Sequence, residues 1–352
     1  MPENLTYLTR PELREWLAAS SHAHHERDIW TWMYRKGHHT WSGLEAFRPI
    51  PHALLSRLNR EASLHRPDII HSHQASDATQ KWLLSLDDDH HIESVFIPDP
   101  PRGTLCLSSQ VGCTLTCSFC HTGSQRLARN LTAGEIVGQV LLARDALKEW
   151  ALPAEAPRHL TNLVFMGMGE PLYNYEAIAD AVGILADPDG LAISKRKITV
   201  STSGVIPAME RCGKELGVNL AVSLHAARDE IRNEIMPINR KYPLAELIAA
   251  CRAYPGLSNA RRILFAYTLL DGVNDTDRDA ADLAKLLADI PSKVNLIPFN
   301  PWPGAPYRPS PPSRIKRFQR TLHDLGTHAW IRHTRGDDIL AACGQLKTEV
   351  SR

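Results

Sequence analysis

Leu105-Cys106-Leu107-Ser108-Ser109-Gln110-Val111-Gly112-Cys113-Thr114-Leu115-Thr116-Cys117-Ser118-Phe119-Cys120 is the stretch that decides the fold. It opens as a short apolar strand and breaks into a loop carrying Cys113, Cys117 and Cys120 in a CxxxCxxC spacing. Cysteine thiolates are the ligands of iron–sulfur clusters. Three of them on one loop wrap one side of a four-iron cubane and leave the fourth iron open to a small chelating ligand. Zinc is the alternative. A structural zinc site completes its tetrahedron with a second nearby pair of Cys or His. Here the next cysteine is the distant Cys212, and His121 adjoins Cys120 too closely to share its metal. The spacing therefore favours a cluster over zinc.

Downstream of this strand the pattern is regular. Apolar strand signals at 104–108, 162–166, 197–201, 219–224, 263–269 and 293–299 alternate with helical stretches near 132–148, 174–186, 206–216, 243–253, 275–289 and 312–324. Thr132-Ala-Gly-Glu135 is a capping box opening the first of these helices. Short buried strands each followed by a helix specify parallel strands with crossover connections. Six such units fall short of the eight in a closed barrel. The fold class expected is α/β, a partial (β/α)6 barrel.

Upstream lies a different pattern. Helical signals run near 10–20, 24–36 and 51–62, the first with Thr9 as N-cap and Pro11 in its first turn. Alternating stretches near 69–75, 80–86 and 91–97 read as a small antiparallel sheet. Trp30, Trp32, Tyr34 and Trp41 read as core rather than as a base-stacking platform. Pro98, Pro100 and Pro101 read as a stiff linker. The chain thus divides into an accessory α+β part, 1–97, and a core, 98–352, that ends in a segment holding Cys343.

Bulk properties narrow the class. The 352 residues are 43% hydrophobic and 22% charged, which fits packed domains and excludes disorder. No apolar run approaches the ~20 residues of a membrane helix, and the first residues lack a signal-peptide pattern, so a cytoplasmic protein is expected. Seven cysteines, an odd number, suit metal binding or reactive thiols better than a disulfide scaffold. The net charge of +1 decides nothing about nucleic acid. Basic residues do cluster, at Lys195–Lys197, Arg261 and Arg262, Arg314 to Arg320, and Arg332, His333 and Arg335. Each cluster alone is ordinary solvated surface.

In (β/α) barrels active sites form at the C-terminal ends of strands. Those ends are polar here: Met166-Gly167-Met168-Gly169-Glu170, Ser201-Thr202-Ser203-Gly204, Ser223-Leu224-His225 and Phe299-Asn300. The glycines admit a ligand to the backbone, and Glu170 offers a partner for an ammonium group. Singly these are weak signals; together with the cysteine loop they point to one ligand pocket. Cys106 and Cys343 fall outside the triad. As isolated cysteines they read as small buried hydrophobes, as do Cys212 and Cys251.

The loop after a first barrel strand resembles the radical S-adenosylmethionine (SAM) superfamily. The phrases QVGCTLTCSFC (110–120), FMGMGEPLYNY (165–175), ITVSTSGV (198–205), AVSLHA (221–226), IPFNPWPG (297–304) and RGDDILAACGQL (335–346) together resemble the RlmN/Cfr family of dual-function RNA methyltransferases, in family order over nearly the whole chain. The resemblance implies a [4Fe-4S] cluster, one per chain, on Cys113, Cys117 and Cys120, with SAM on the open iron and two SAM consumed per turnover. It implies SAM contacts at Gly169, Glu170, Ser201, Ser223, Leu224, His225 and Asn300.

By the same resemblance, Cys343 carries the methyl group as S-methylcysteine. Glu93 accepts a proton, and Cys106 resolves the protein–RNA linkage through a transient disulfide with Cys343. The product implied is C2-methyladenosine in 23S rRNA (adenosine 2503 in the usual rRNA naming) and at adenosine 37 of some tRNAs; C8 methylation of the same rRNA adenosine is the alternative. Adenine C2 is not nucleophilic, so radical chemistry followed by thiol exchange suits it. From its own sequence context, Glu93 reads only as a solvent-facing strand residue. The string His121 to Arg129 departs from the small-residue string usual after the last ligand. The partners implied are rRNA and tRNA, held by the N-terminal part and the basic clusters, and an external flavodoxin-like electron donor. A monomer is expected.

Overall fold

The computed structural model describes residues 2–153 and 156–348. Its frame is one sheet of ten strands: β1 (Asp68–Gln74), β2 (Gln80–Ser85), β3 (His91–Asp99), β4 (Arg102–Cys106), β5 (Asn162–Phe165), β6 (Ile198–Thr202), β7 (Asn219–Ser223), β8 (Ile263–Leu269), β9 (Ser292–Pro298) and β10 (Ala329–Ile331). Each strand lies beside its neighbour in the chain, from β1 at one edge to β10 at the other. β1 to β4 pair antiparallel and β4 to β10 pair parallel. β4 to β9 are the six barrel strands, and the ends of their arc do not pair with one another. This is the partial (β/α)6 barrel. β10, at three residues, is too short to carry a period in the sequence and was not anticipated.

The crossover helices explain the alternation. Ala133–Ala146 opens on its capping box, with the Thr132 hydroxyl accepting from Glu135 N–H and the Glu135 carboxylate accepting from Thr132 N–H. It is buried over most of its surface, because the barrel covers one side and the N-terminal segment the other. Gly134 makes this possible: a Cβ there would sit 2.3 Å from the Tyr7 ring. Beyond it, Tyr175–Ala186, Ile206–Arg211, Leu244–Arg252, Asp277–Leu287 and Pro312–Asp324 cover the sheet.

The N-terminal helices Arg10–Ala18, Glu26–Trp30 and His52–Glu61 form a layer of their own. At the first, Thr9 N–H and hydroxyl both donate to Glu12, and Pro11 lies in the opening turn, as expected. Trp30, Trp32, Tyr34 and Trp41 are all buried. Each contributes about 1.5–3 kcal/mol or more of apolar burial, and none is free to stack on a base.

The three prolines form a turn where a linker was expected. Pro98 is inside β3, and Pro100 and Pro101 occupy the reversal between Asp99 and its partner Arg102. Proline stiffens a linker and a tight turn alike, and local sequence does not separate the two. The consequence is structural continuity. β1 to β3 are an extension of the barrel sheet, and the face that carries Cys106 runs on across it. Register places Cys106, Val95, Lys81 and His73 in one row, and Glu93, Leu83 and His71 in the next.

Candidate active site

The cysteine loop leaves the end of β4 and folds back under its own hydrogen bonds. Leu115 N–H donates to the Cys113 sulfur at 3.3 Å, Cys120 N–H to Cys117 O at 3.1 Å, and Gly123 N–H to Cys120 O at 3.0 Å. Gly123 must be glycine: a Cβ would lie 2.6 Å from Cys117 O. Gln110, the first residue of the motif, clamps loop to barrel. Its carbonyl oxygen accepts from Glu170 N–H and Thr114 N–H, and its amide donates to Thr114 and Asn130.

The three cysteines line one cleft of about 960 Å³ at the C-terminal ends of the barrel strands. Gly167, Gly169, Glu170, Ser201, Ser203, Ser223, His225 and Thr268 line it too. Burial pushes the Cys113 thiol up to about 12 and the Cys117 thiol well above its usual value. Among the described residues no three His, Cys, Asp or Glu side chains close around a point where one ion could sit. Three thiols facing one cleft suit a cluster, whose ligated irons are separate corners.

Glu170 is buried in the cleft wall. Its carboxylate accepts from Leu172 N–H at 3.1 Å and Ser203 N–H at 2.7 Å, while burial raises its pKa. An ammonium group is the partner that would restore its charge. Gly169 has φ of +100°, and a Cβ there would lie 2.6 Å from Gln110. His225 accepts from Thr268 N–H at its Nδ1, 2.9 Å away. Burial, with the Arg232 charge, takes its pKa down to about 3. The ring is therefore neutral, and Nε2 carries the proton as a donor.

Two further expected contacts adjoin the cleft. Leu224 sits between the lining residues Ser223 and His225; its side chain is in the core, its N–H donates to Ala266 and its carbonyl accepts from Arg232. Asn300 follows the lining residue Phe299 and itself lines the adjoining cavity. Its amide donates to Cys343 O at 3.1 Å and its oxygen accepts from the Thr334 hydroxyl, so it anchors the cysteine segment.

A second, narrower cavity adjoins the first and shares Met166, Ile297 and Cys343 with it. Val95, Ile97 and Cys106 line one side, Ile297 and Asn300 the other, so it fills the gap between the two ends of the barrel arc. Arg332, His333 and Arg335, one of the basic clusters, complete it. Cys343 lines both cavities, and its field is felt at Cys106 and at Cys120. Burial, then the neighbouring Cys343, pushes the Cys106 thiol up to about 12. A thiol so placed is stored protonated.

The segment bearing Cys343 has little regular structure and is held from several directions. His121 N–H donates to Gly344 O at 2.7 Å, the Thr122 hydroxyl to Leu346 O at 2.5 Å, and Gln125 exchanges hydrogen bonds with Thr348. The divergent string after Cys120 is thus the part of the loop that holds Cys343 in place. Gln345, buried, accepts from Ala342 N–H and donates to Pro301 O and Asp337. Trp302 stacks on His121 at 4.6 Å and donates to Phe119 O.

Glu93 faces a third cavity, next to the other two, and is buried rather than solvent-facing. The correction follows from the sheet: a strand at the edge of a small separate sheet would turn this face to water, whereas β3 continues the barrel's inner face. Its carboxylate meets Lys81 Nζ at 2.9 Å and accepts from Lys347 N–H at 2.9 Å. Sequence reading gave no role to Lys81 or to Arg232. Arg232 is fully buried and donates to Leu224 O, Ser203 O, Ser223 O and Asn239, tying together the ends of β6 and β7. A buried arginine in an amphipathic helix looks like surface until the helix is placed.

The Radical SAM superfamily model matches residues 107–284. The chain is 54% identical over 352 residues to the dual-specificity RNA methyltransferase RlmN of Rhodospirillum rubrum, covering 100% of this chain and 82% of that protein. It is 52% identical to the protein of the same name from Granulibacter bethesdensis, over 99% of this chain and 88% of that one. Among solved structures, a radical SAM methyltransferase from Sphaerobacter thermophilus superposes with a TM-score of 0.91 at 45% identity, covering 99% of this chain and all of that one.

Proposed function

The chain belongs to the RlmN family of the radical SAM superfamily, a family of SAM-dependent RNA methyltransferases, and we propose that it methylates C2 of an adenosine in 23S rRNA and in tRNA by way of S-methylated Cys343. The observation that carries this reading is the position of Cys343 on the wall common to the thiol-lined cleft and the Cys106 cavity. A residue that must take a methyl group on one side and deliver it on the other belongs on such a wall.

The family implies a four-iron cluster and SAM. When bound, they supply a carbon-centred radical that can take a hydrogen from a methyl group. The residues fit such a group: three thiols, a buried carboxylate and a neutral imidazole donor face one cleft. Cys113, Cys117 and Cys120 would hold the cluster. Gly169, Glu170, Ser201, Ser223, Leu224, His225 and Asn300 would hold SAM, with Glu170 on its ammonium group.

Cys343 thiolate takes the methyl group, and the activated S-methyl carbon then bonds to adenine C2. Glu93 accepts the proton lost from C2. Cys106 then loses its proton and attacks the Cys343 sulfur. The carbon–sulfur bond breaks with its electron pair going to the bridging carbon, which takes up a proton to become the methyl group. The methylated RNA leaves as a Cys106–Cys343 disulfide forms, to be reopened by an external dithiol reductant. In this reading each turnover uses two SAM and an external one-electron donor of the flavodoxin kind. The N-terminal layer and the basic residues at the second cavity hold folded RNA. The protein acts as a cytoplasmic monomer; no helix among the described residues is long and apolar enough to cross a membrane.

The test is anaerobic turnover with 23S rRNA fragments and tRNA, read by mass spectrometry of nucleosides. C2-methyladenosine is the expected product, and 8-methyladenosine alone would overturn the reading. Cys106→Ala should trap a covalent protein–RNA species; free methylated RNA at the native rate would remove Cys106 from the mechanism.

A further inference from the structure

Glu93 is a buried carboxylate whose surroundings come from four separate parts of the chain. Lys81 from β2 reaches it at 2.9 Å. His71 and His73 from the exposed edge strand β1 line the same cavity, as do His121 from the tail of the cysteine loop and Lys347 from the C-terminal segment. Lys81 makes an ion pair with the carboxylate, and its own side chain is 12% exposed. Lys347 contributes its backbone N–H to the other carboxylate oxygen. Lys81 has a second attachment: Nζ donates to Leu340 O at 3.3 Å, three residues before Cys343.

We propose that Lys81 is a positioning residue for the reaction: its ammonium group holds the Glu93 carboxylate ionised and, through Leu340, in register with the segment that carries Cys343. The inference rests on the reading of Glu93 as proton acceptor. Desolvation disfavours the charged form of a buried carboxylate, and a cation within ~4 Å opposes that. Both effects act on Glu93: burial raises its pKa and Lys81 lowers it, with burial the larger. A base must be ionised to accept a proton. Lys347 N–H and His73 also lower the pKa of Glu93, each less than Lys81. Without Lys81 the largest effect opposing burial is gone, and the carboxylate ionises only at higher pH.

The sheet register explains why this residue is the one available. Lys81 lies in the same cross-strand row as Val95 and Cys106, and Leu83 is the direct partner of Glu93. A side chain directly opposite Glu93 would be crowded at ~5 Å, whereas the diagonal neighbour is ~7–8 Å away between backbones. That diagonal span suits the length of lysine and leaves the far oxygen of Glu93 toward the segment.

The experiment uses reconstituted holoenzyme and RNA deuterated at adenine C2, and measures loss of the C2 deuteron against pH in single turnovers. Lys81→Met should move the acid limb of that profile up by at least about one pH unit, a tenfold loss of rate on the limb. Lys81→Arg should restore it. In protein labelled with carboxyl-¹³C glutamate, the Glu93 signal, identified by its absence in Glu93→Gln, should titrate at higher pH in Lys81→Met. An unchanged limb and an unchanged titration would overturn the proposal. Glu93→Gln separates the two ideas. If it loses the deuteron at the native rate, the base assignment fails. If it is blocked while Lys81→Met is unaffected, the role of Lys81 alone fails.

Discussion

The cysteine loop 113–120 and the C-terminal segment 336–348 both present a reactive sulfur to the same cleft, yet they are built in opposite ways. The loop fixes its thiols by local turns, with hydrogen bonds that span two or three residues. The segment fixes Cys343 by contacts to residues tens to hundreds of positions away: Asp77, Ser76, Lys81, Glu93, His121, Thr122, Gln125, Asn300 and Pro301. Turns of two or three residues are specified by the loop itself, whereas the placement of Cys343 depends on the completed fold.

The sharpest test sets two cysteines against each other. Cys117→Ala should abolish the brown iron–sulfur absorbance of anaerobically purified protein and, with it, RNA methylation. Cys343→Ala should abolish methylation to the same degree but leave the absorbance intact; a bleached Cys343→Ala protein would mean that the two regions are not separable.

Arg232→Met should come next in size. It leaves three carbonyls and Asn239 without their buried donor, and should cost about 3 kcal/mol or more in denaturant unfolding. A smaller effect is expected at the strap. Gln345→Ala removes three hydrogen bonds that shape the turn around Cys343. Misplacement of a reacting group by about 1 Å can cost up to ~100-fold, so methylation should slow by about ten- to a hundredfold with the absorbance unchanged. Smallest of all should be Asp338→Ala. It removes one exposed bond to Ser76 N–H, for which less than about 1 kcal/mol in thermal unfolding and near-native turnover are expected. A loss comparable with that of Gln345→Ala would show that the strap acts as one cooperative unit.

Legibility in the sequence follows the same division. The six barrel strands and their helices could be read because each repeats a local period, and the cysteine triad at the cleft stood out because its spacing is local. Glu93 was misread because the face a strand residue shows depends on the sheet it joins, and that was hidden by taking the hairpin at Pro100 and Pro101 for a linker. Leu224 and Asn300 stand at strand ends beside cleft-lining residues, and the core placement of the Leu224 side chain follows from side-chain alternation, which a strand-end motif does not reveal. Arg232 and Lys81 gave no signal at all: a lone basic residue is the commonest surface feature, and what distinguishes these two is the set of distant acceptors around them.

The unpaired ends of the barrel arc have a geometric consequence. A ring of eight strands can be entered only along its axis, which suits a small molecule that diffuses in whole. An adenine in folded RNA is tethered on both sides and cannot be threaded down an axis. An arc leaves a slot in its flank. Here the gap lies between Cys106 on the first strand and Asn300 beyond the last, and Arg332, Arg335 and Cys343 line it. An open arc can be approached from its flank by a residue tethered on both sides, where a closed ring could not.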